Sequence, residues 1–177
     1  MQKWPQRRSP RHQEYDYSTI GAYFLTICTH QKVNLLCEIV GGNMKPNAAG
    51  TRVAYWWNEL QLHYFEVATD YFVVMPNHVH GIMMLDHDGG VSIPDVIGWY
   101  KTMTTNAYIR GVKEQNWFQF DGKVWQRSFY ARIIRDDNEL GTIREYIRLN
   151  PSRWERDLHH PETAWLLDKI RKELGRD

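Results

Sequence analysis

The shortages in this sequence exclude more than its abundances include. Only two cysteines occur among 177 residues, Cys28 and Cys37, and their spacing matches no C-x-x-C pattern. That argues against a disulfide framework and a cysteine-built zinc site, and it fits reduced thiols in the cytoplasm. No apolar run is long enough to cross a bilayer, and the polar N-terminus has no signal-peptide core, so no membrane partner is expected. Charge of either sign is not in excess: 22 Lys and Arg stand against 21 Asp and Glu, a net of +1. Bulk charge therefore does not announce a polyanionic partner. Internal repeats and low-complexity linkers are absent too, which leaves one domain of 21.1 kDa with room for a core.

Aromatic residues, by contrast, are plentiful: 14%, with eight Trp and ten Tyr. Such side chains fill cores and also serve as platforms for unpaired bases, and composition does not separate the two uses. Charge is uneven along the chain. Residues 1–13 carry Lys3, Arg7, Arg8 and Arg11 without an acid, either a basic arm for a nucleic acid or a solvated terminus. Between 123 and 156, eight basic residues face five acidic ones.

Local patterns divide the chain into alternating elements. Residues 22–29 (AYFLTICT) read as a buried strand. A Gly41-Gly42-Asn43 connection follows, then helical spacing of apolar residues from about 46 to 64. Residues 66–75 and 79–85 read as two strands joined by a Pro76-Asn77 turn. Pro94 suits the first turn of a helix reaching about Arg110. A fourth strand is expected over roughly 123–134. Asp136-Asp137-Asn138 offers an N-cap for a helix with Leu140, Ile143 and Ile147 on one stripe, and Pro151 is expected to stop it. A last short helix is expected from about Pro161 to Leu174, in a tail spanning 157–177. The series is β-α-β-β-α-β plus a helix, an α+β ferredoxin-like sheet with two helices on one face. Fold of this kind does not specify function.

Three pieces carry chemistry. His78-Val79-His80 opens the third strand, and residues two apart in a strand face the same way, so both imidazoles project from one face. That arrangement can present two nitrogen ligands to one metal ion, although a pair of half-exposed strand histidines has the same spacing. Metallo-hydrolase boxes of the form H-x-H-x-D-H do not fit, because Asp86-His87 comes four residues too late. Tyr146 and Asn150 are i and i+4 on the late helix. With Leu140 at zero and about 100° per residue, they fall near 240° and 280°, at the edge of the apolar stripe. The third piece is Trp125-Gln126-Arg127 with Tyr130, Arg132 and Arg135, where arginines among aromatics suit a phosphate backbone with splayed bases and equally a solvated face.

These motifs together resemble a known family. Met75-Pro76-Asn77-His78-Val79-His80-Gly81 is similar to the histidine–hydrophobe–histidine box of the single-tyrosine HUH transposases, and Tyr146-Ile147-Arg148-Leu149-Asn150-Pro151 is similar to their nucleophile helix. The opening stretch Arg8–Thr29, with Trp125-Gln126-Arg127-Ser128-Phe129-Tyr130 and Ile133-Ile134-Arg135, resembles the branch called REP-associated tyrosine transposases. The likeness spans about residues 8–156, so the domain is taken as 14–156 behind the arm 1–13. Members often carry a histidine two residues after the Tyr130 position, where this chain has Arg132.

The resemblance implies that Tyr146 is a nucleophile, that His78 and His80 bind a divalent ion (Mg²⁺ or Mn²⁺), and that Asn150 is the third ligand. It implies a substrate of single-stranded or hairpin DNA, cut and rejoined through a 5′-phosphotyrosine. Expected DNA contacts are Arg7, Arg8, Arg11, Lys101, Trp125, Arg127, Arg132 and Arg148, and the protein is expected as a monomer or homodimer. The alternative is a hairpin-binding protein of the same fold that does not cleave. Replication and mobilisation initiators share the histidine box, but they usually place it after the tyrosine or add helicase segments, and this chain does neither.

Overall fold

The computed structural model describes residues 18–87 and 90–157. The arm 1–13 and the tail helix expected at 161–174 lie outside the described residues. Four strands form one antiparallel sheet: β1 (Gly21–Cys28), β4 (Val67–Met75), β5 (His78–Leu85) and β6 (Tyr130–Ile134), in the order β4-β5-β1-β6. Three helices accompany it: α1 (Ala48–His63), α2 (Ile93–Gln115) and α3 (Asp137–Asp157). Element order and strand order together give the ferredoxin-like arrangement. Two short strands, β2 (Cys37–Val40) and β3 (Asn43–Pro46), form a separate hairpin before α1. Gly41 and Gly42 sit at φ +58° and +74° in its turn, the positive values that a two-residue hairpin of this type needs.

The strands β1 and β5 are buried on both faces, so their sequences are near-continuous apolar runs rather than alternations. Alternation still sorts their side chains. Tyr23, Leu25, Ile27, Val79 and Met83 meet α1 and α2 in the larger core, whereas Phe24, Ile82, Val73 and Met75 meet Ile143, Tyr146 and Ile147 of α3. Helices α1 and α2 therefore cover one face and α3 the other. Gly81 is forced by this packing, since a Cβ there would stand 2.3 Å from the Trp57 ring. The helix starts follow local chemistry: Asn47 accepts from the Gly50 N–H at 2.8 Å, and Ser92 caps α2 just ahead of Pro94.

Two expectations need correction. The strand expected over 123–134 is only Tyr130–Ile134, preceded by a single bridge between Trp125 and Thr29. The intervening carbonyls are taken by another partner: the Lys101 ammonium donates to those of Gln126, Arg127 and Ser128 at 2.9, 3.3 and 3.1 Å. Carbonyls held towards α2 in this way are not available to a ladder with β1, which the segment meets through the Gln126 N–H, donating to the Cys28 carbonyl at 2.9 Å. Pro151 likewise does not stop α3, which runs on to Asp157. Proline removes one backbone donor, but Ser152 donates its hydroxyl to the Leu149 carbonyl at 2.8 Å, and the Trp154 ring lies 6.0 Å from that of His78.

Candidate active site

The face of the sheet beneath α3 carries the unusual polar groups. At one row, Val73, His80, Thr26 and Tyr130 stand side by side across β4, β5, β1 and β6; one row further, Met75, His78 and Cys28 do the same. Both histidines are buried, and their rings lie 4.5 Å apart between centroids. Each ring is oriented through Nδ1. His78 Nδ1 lies 2.8 Å from the Asn77 carboxamide oxygen, so it donates and leaves the lone pair on Nε2. His80 Nδ1 lies 2.9 Å from the Thr26 hydroxyl, and its Nε2 lies 3.4 Å from the Tyr146 hydroxyl. Orientation of a ligand imidazole through its second nitrogen is what metal sites require.

Burial holds His80 well below the ordinary histidine range, and the neighbouring His78 pushes it the same way. His80 is thus a neutral imidazole near pH 7, the form that ligates a cation or accepts a phenol proton. Phe24 supports the arrangement from below, stacked on His80 at 5.3 Å and edge-on to Tyr146 at 6.0 Å.

Tyr146 and Asn150 come from α3. Rather than standing at the edge of the buried stripe, both are within the core, 7% and 1% exposed. Tyr146 touches His80, and Trp154, two turns along the same helix face, touches His78. Asn150 lies between those two contacts and so faces the histidine pair. Its carboxamide oxygen and nitrogen are both buried without a hydrogen-bond partner. An orphaned buried carboxamide is costly in a folded chain, and its oxygen is free to act as a ligand to a cation. Among the described residues no cluster of three His, Cys, Asp or Glu exists, so a cation here would rely on that carboxamide as its third protein ligand. Two imidazoles and one carboxamide, with no thiolate among them, would suit Mn²⁺ or Mg²⁺ better than a closed zinc site.

Other expected site residues are placed differently. Trp125 is buried, its indole N–H donating to Thr104 at 2.8 Å, so it is a core residue rather than a stacking platform. Lys101 serves the 126–128 carbonyls. Arg132 pairs with the fully buried Glu139, whose other oxygen accepts from the Arg135 N–H. Arg148 forms an exposed pair with Glu145 on its own helix, and Arg127 is exposed beside α2. Arg7, Arg8 and Arg11 lie outside the described residues. Sequence reasoning missed Thr26 and Asn77, the two groups that orient the imidazoles. Asn77 carried a signal, being adjacent to His78, whereas Thr26 becomes relevant only through strand pairing.

A further missed feature fixes α3. The β4 ladder shifts register between Thr69 and Phe72, and this bulge turns Asp70 and Tyr71 towards α3. Arg144, two residues before Tyr146, donates twice to one Asp70 oxygen at 2.9 and 2.6 Å and lies 5.7 Å over the Tyr71 ring.

Comparison with known proteins agrees with this geometry. A family described as "Transposase IS200 like" matches residues 52–150, which include both histidines, Tyr146 and Asn150. An uncharacterized protein of Haemophilus influenzae is 34% identical over 85% of this chain and 91% of its own. A second protein of that organism, named as a REP-associated tyrosine transposase, is 26% identical over 77% of this chain and 73% of its own. The solved structure of a REP-associated tyrosine transposase bound to a REP hairpin shares the fold, with a TM-score of 0.56 at 18% identity over 86% of this chain and 74% of that one. The histidine pair and tyrosine helix thus stand within a matched family domain: this chain belongs to the IS200-like transposase family.

Proposed function

We propose that this protein cuts and rejoins single-stranded DNA beside a hairpin, using Tyr146 as the nucleophile and a divalent ion held by His78, His80 and Asn150. The observation that carries the reading is the convergence of Tyr146, an oriented neutral His80 and the orphaned Asn150 carboxamide on one buried face. When bound, the ion would polarise the scissile phosphate and hold it in line for attack.

The chain's own groups account for the rest. The Tyr146 hydroxyl, 3.4 Å from His80 Nε2, is placed by α3 and by the edge contact with Phe24. Attack forms a bond from the phenolic oxygen to phosphorus and breaks the bond from phosphorus to the 3′ oxygen. The phenolic proton passes from Tyr146 to solvent, and the freed 3′ oxygen takes a proton from solvent and ends as a hydroxyl. The product is a 5′-phosphotyrosine, which conserves the phosphodiester energy, so another 3′-hydroxyl can reverse the step and join strands. Because the reaction needs an exposed backbone, the substrate is an unpaired strand. The hairpin beside it is inferred from the relative solved with a REP hairpin.

Arg127 and the arm residues Arg7, Arg8 and Arg11 remain the proposed phosphate contacts. Lys101 and Arg132 act on DNA indirectly, by shaping the 126–128 turn and the β6–α3 junction. Purified protein incubated with end-labelled hairpin DNA carrying a single-stranded flank should give a covalent adduct on a denaturing gel with Mn²⁺ and none with EDTA. Binding without adduct would indicate a hairpin-binding protein, and cleavage without adduct a water nucleophile.

A further inference from the structure

The reaction uses only the face of the sheet beneath α3, yet the opposite face carries a built cavity. It lies between α1 and α2, has a volume of about 220 Å³, and is lined by Arg52 and Trp56 from α1, Asn106 and Arg110 from α2, and Trp117 beyond the helix end. The Trp117 wall is fixed by local structure. Asn116 ends α2 at φ +60°, turning the chain back, and the Trp117 indole then rests on Gly111, where a Cβ would stand 2.1 Å away. Tyr108 meets the same ring edge-on at 5.4 Å. The Trp56 ring is held by edge contacts with Tyr55 at 5.3 Å and Trp99 at 5.7 Å.

Charge at the cavity is one-sided. Among the described residues no carboxylate lines it. Among the described residues neither Arg52 nor Arg110 forms an ion pair, in contrast to Arg132, Arg144 and Arg148; the contact of Arg52 is the Tyr55 ring at 5.5 Å. Two uncompensated guanidinium groups select an anion, and indole walls select a flat ring. A ligand with both properties is a nucleotide, whose base can stack and whose phosphate can take the arginines.

We propose that this cavity receives an unpaired nucleotide of the bound DNA, as a second contact site on the face away from Tyr146. The surface offers a route between the two. Asn106 also lines an open groove of about 430 Å³ between α2 and residues 122–127, where Lys123 and Arg127 stand. At its far side the Gln126 N–H donates to the Cys28 carbonyl at 2.9 Å, and Cys28 pairs with His78 across the sheet. A strand leaving the cavity along this groove therefore meets the cations Lys123 and Arg127. The proposal rests on the reading of this protein as acting on single-stranded DNA, but it concerns where DNA binds rather than how it is cut.

The test compares wild type with the doubly substituted Arg52→Ala/Arg110→Ala protein, and with Lys113→Ala as an exposed α2 control. Fluorescence anisotropy would measure binding to a labelled hairpin with a four-nucleotide unpaired flank, and to the same hairpin without it. Removing both arginines should weaken binding of the flanked hairpin by about tenfold. Its salt slope should fall by about 1.4, two single-strand phosphate contacts. Affinity for the unflanked hairpin, and the adduct yield on a short single-stranded oligonucleotide, should not change. Wild-type affinity for the flanked hairpin retained in the double variant, an equal loss on both hairpins, or no binding of either by wild type would each overturn the proposal. Calorimetric titration with dAMP separates the sources: saturable binding lost in the double variant, with the flanked hairpin unaffected, would mean a free-nucleotide site and not a strand contact. Absence of any adduct with wild type would instead sink the strand-transfer reading and leave the binding comparison standing.

Discussion

Asn150→Leu should make the metal-free protein more stable while removing its response to metal. In the folded chain the Asn150 side chain is 1% exposed and both of its polar atoms lack a hydrogen-bond partner. A buried polar group left unmade costs about 1–3 kcal/mol, and leucine of similar volume removes two such atoms at a packing cost below about 1.5 kcal/mol. Counting one atom's worth as the net, the gain is about 1–3 kcal/mol, or a Tm rise of about 2–12 °C for a domain of this size. Wild type should gain its own stability from Mn²⁺, about 2.7 kcal/mol at one hundred times Kd, whereas the variant, left with His78 and His80, should gain much less. Differential scanning calorimetry of both proteins in EDTA and in Mn²⁺ reads all four states. If Asn150→Leu lowers Tm in EDTA and still shifts with Mn²⁺ as wild type does, Asn150 is a satisfied core residue and the assignment is wrong.

Three more outcomes follow from the same geometry. Tyr146→Phe should change stability by no more than about 1 kcal/mol, since it removes one buried hydroxyl with a 3.4 Å contact, and DNA binding in gel shifts should stay near wild type while cleavage disappears. His78→Ala or His80→Ala should abolish Mn²⁺-stimulated cleavage; cleavage at the wild-type rate by both variants would contradict the metal site. Arg132→Ala leaves the buried Glu139 carboxylate without its ion-pair partner and should cost about 3 kcal/mol in urea unfolding, the lower end for a broken buried pair because Arg132 is 20% exposed. A loss of DNA affinity with no loss of stability would instead make Arg132 a DNA contact.

The main fold was legible because its signals were local and strong. Apolar runs at 22–29 and 79–85 marked strands buried on both faces, Pro94 marked a helix start, and the two histidines two residues apart fixed a shared strand face before any pairing was known. What failed depended on tertiary partners. The segment 123–129 has strand composition, but the Lys101 ammonium competes for its carbonyls. Pro151 carries a helix-stop signal that Trp154 packing and the Ser152 hydroxyl override. The Gly41-Gly42 pair was read as a connection, although two residues between CEIV and NMKP are themselves a hairpin signal. In the site, Tyr146 and Asn150 were found from helical spacing and family likeness. Their depth of burial was not, because the helical wheel places α3 relative to its own stripe and not to the sheet beneath it. Thr26 and the Asp70–Arg144 clamp were invisible for a simpler reason: each joins residues more than fifty positions apart.

In the proposed reaction Tyr146 itself takes the DNA phosphate. Trapping the reaction of wild-type protein with a flanked hairpin in Mn²⁺, digesting both components, and sequencing the peptides by mass spectrometry addresses it directly. One modified peptide is expected, containing residues 145–148, with a nucleotide phosphate on Tyr146 and none when Mn²⁺ is replaced by EDTA. A nucleotide on Tyr130 instead, or strand cleavage with every tyrosine unmodified, would contradict it.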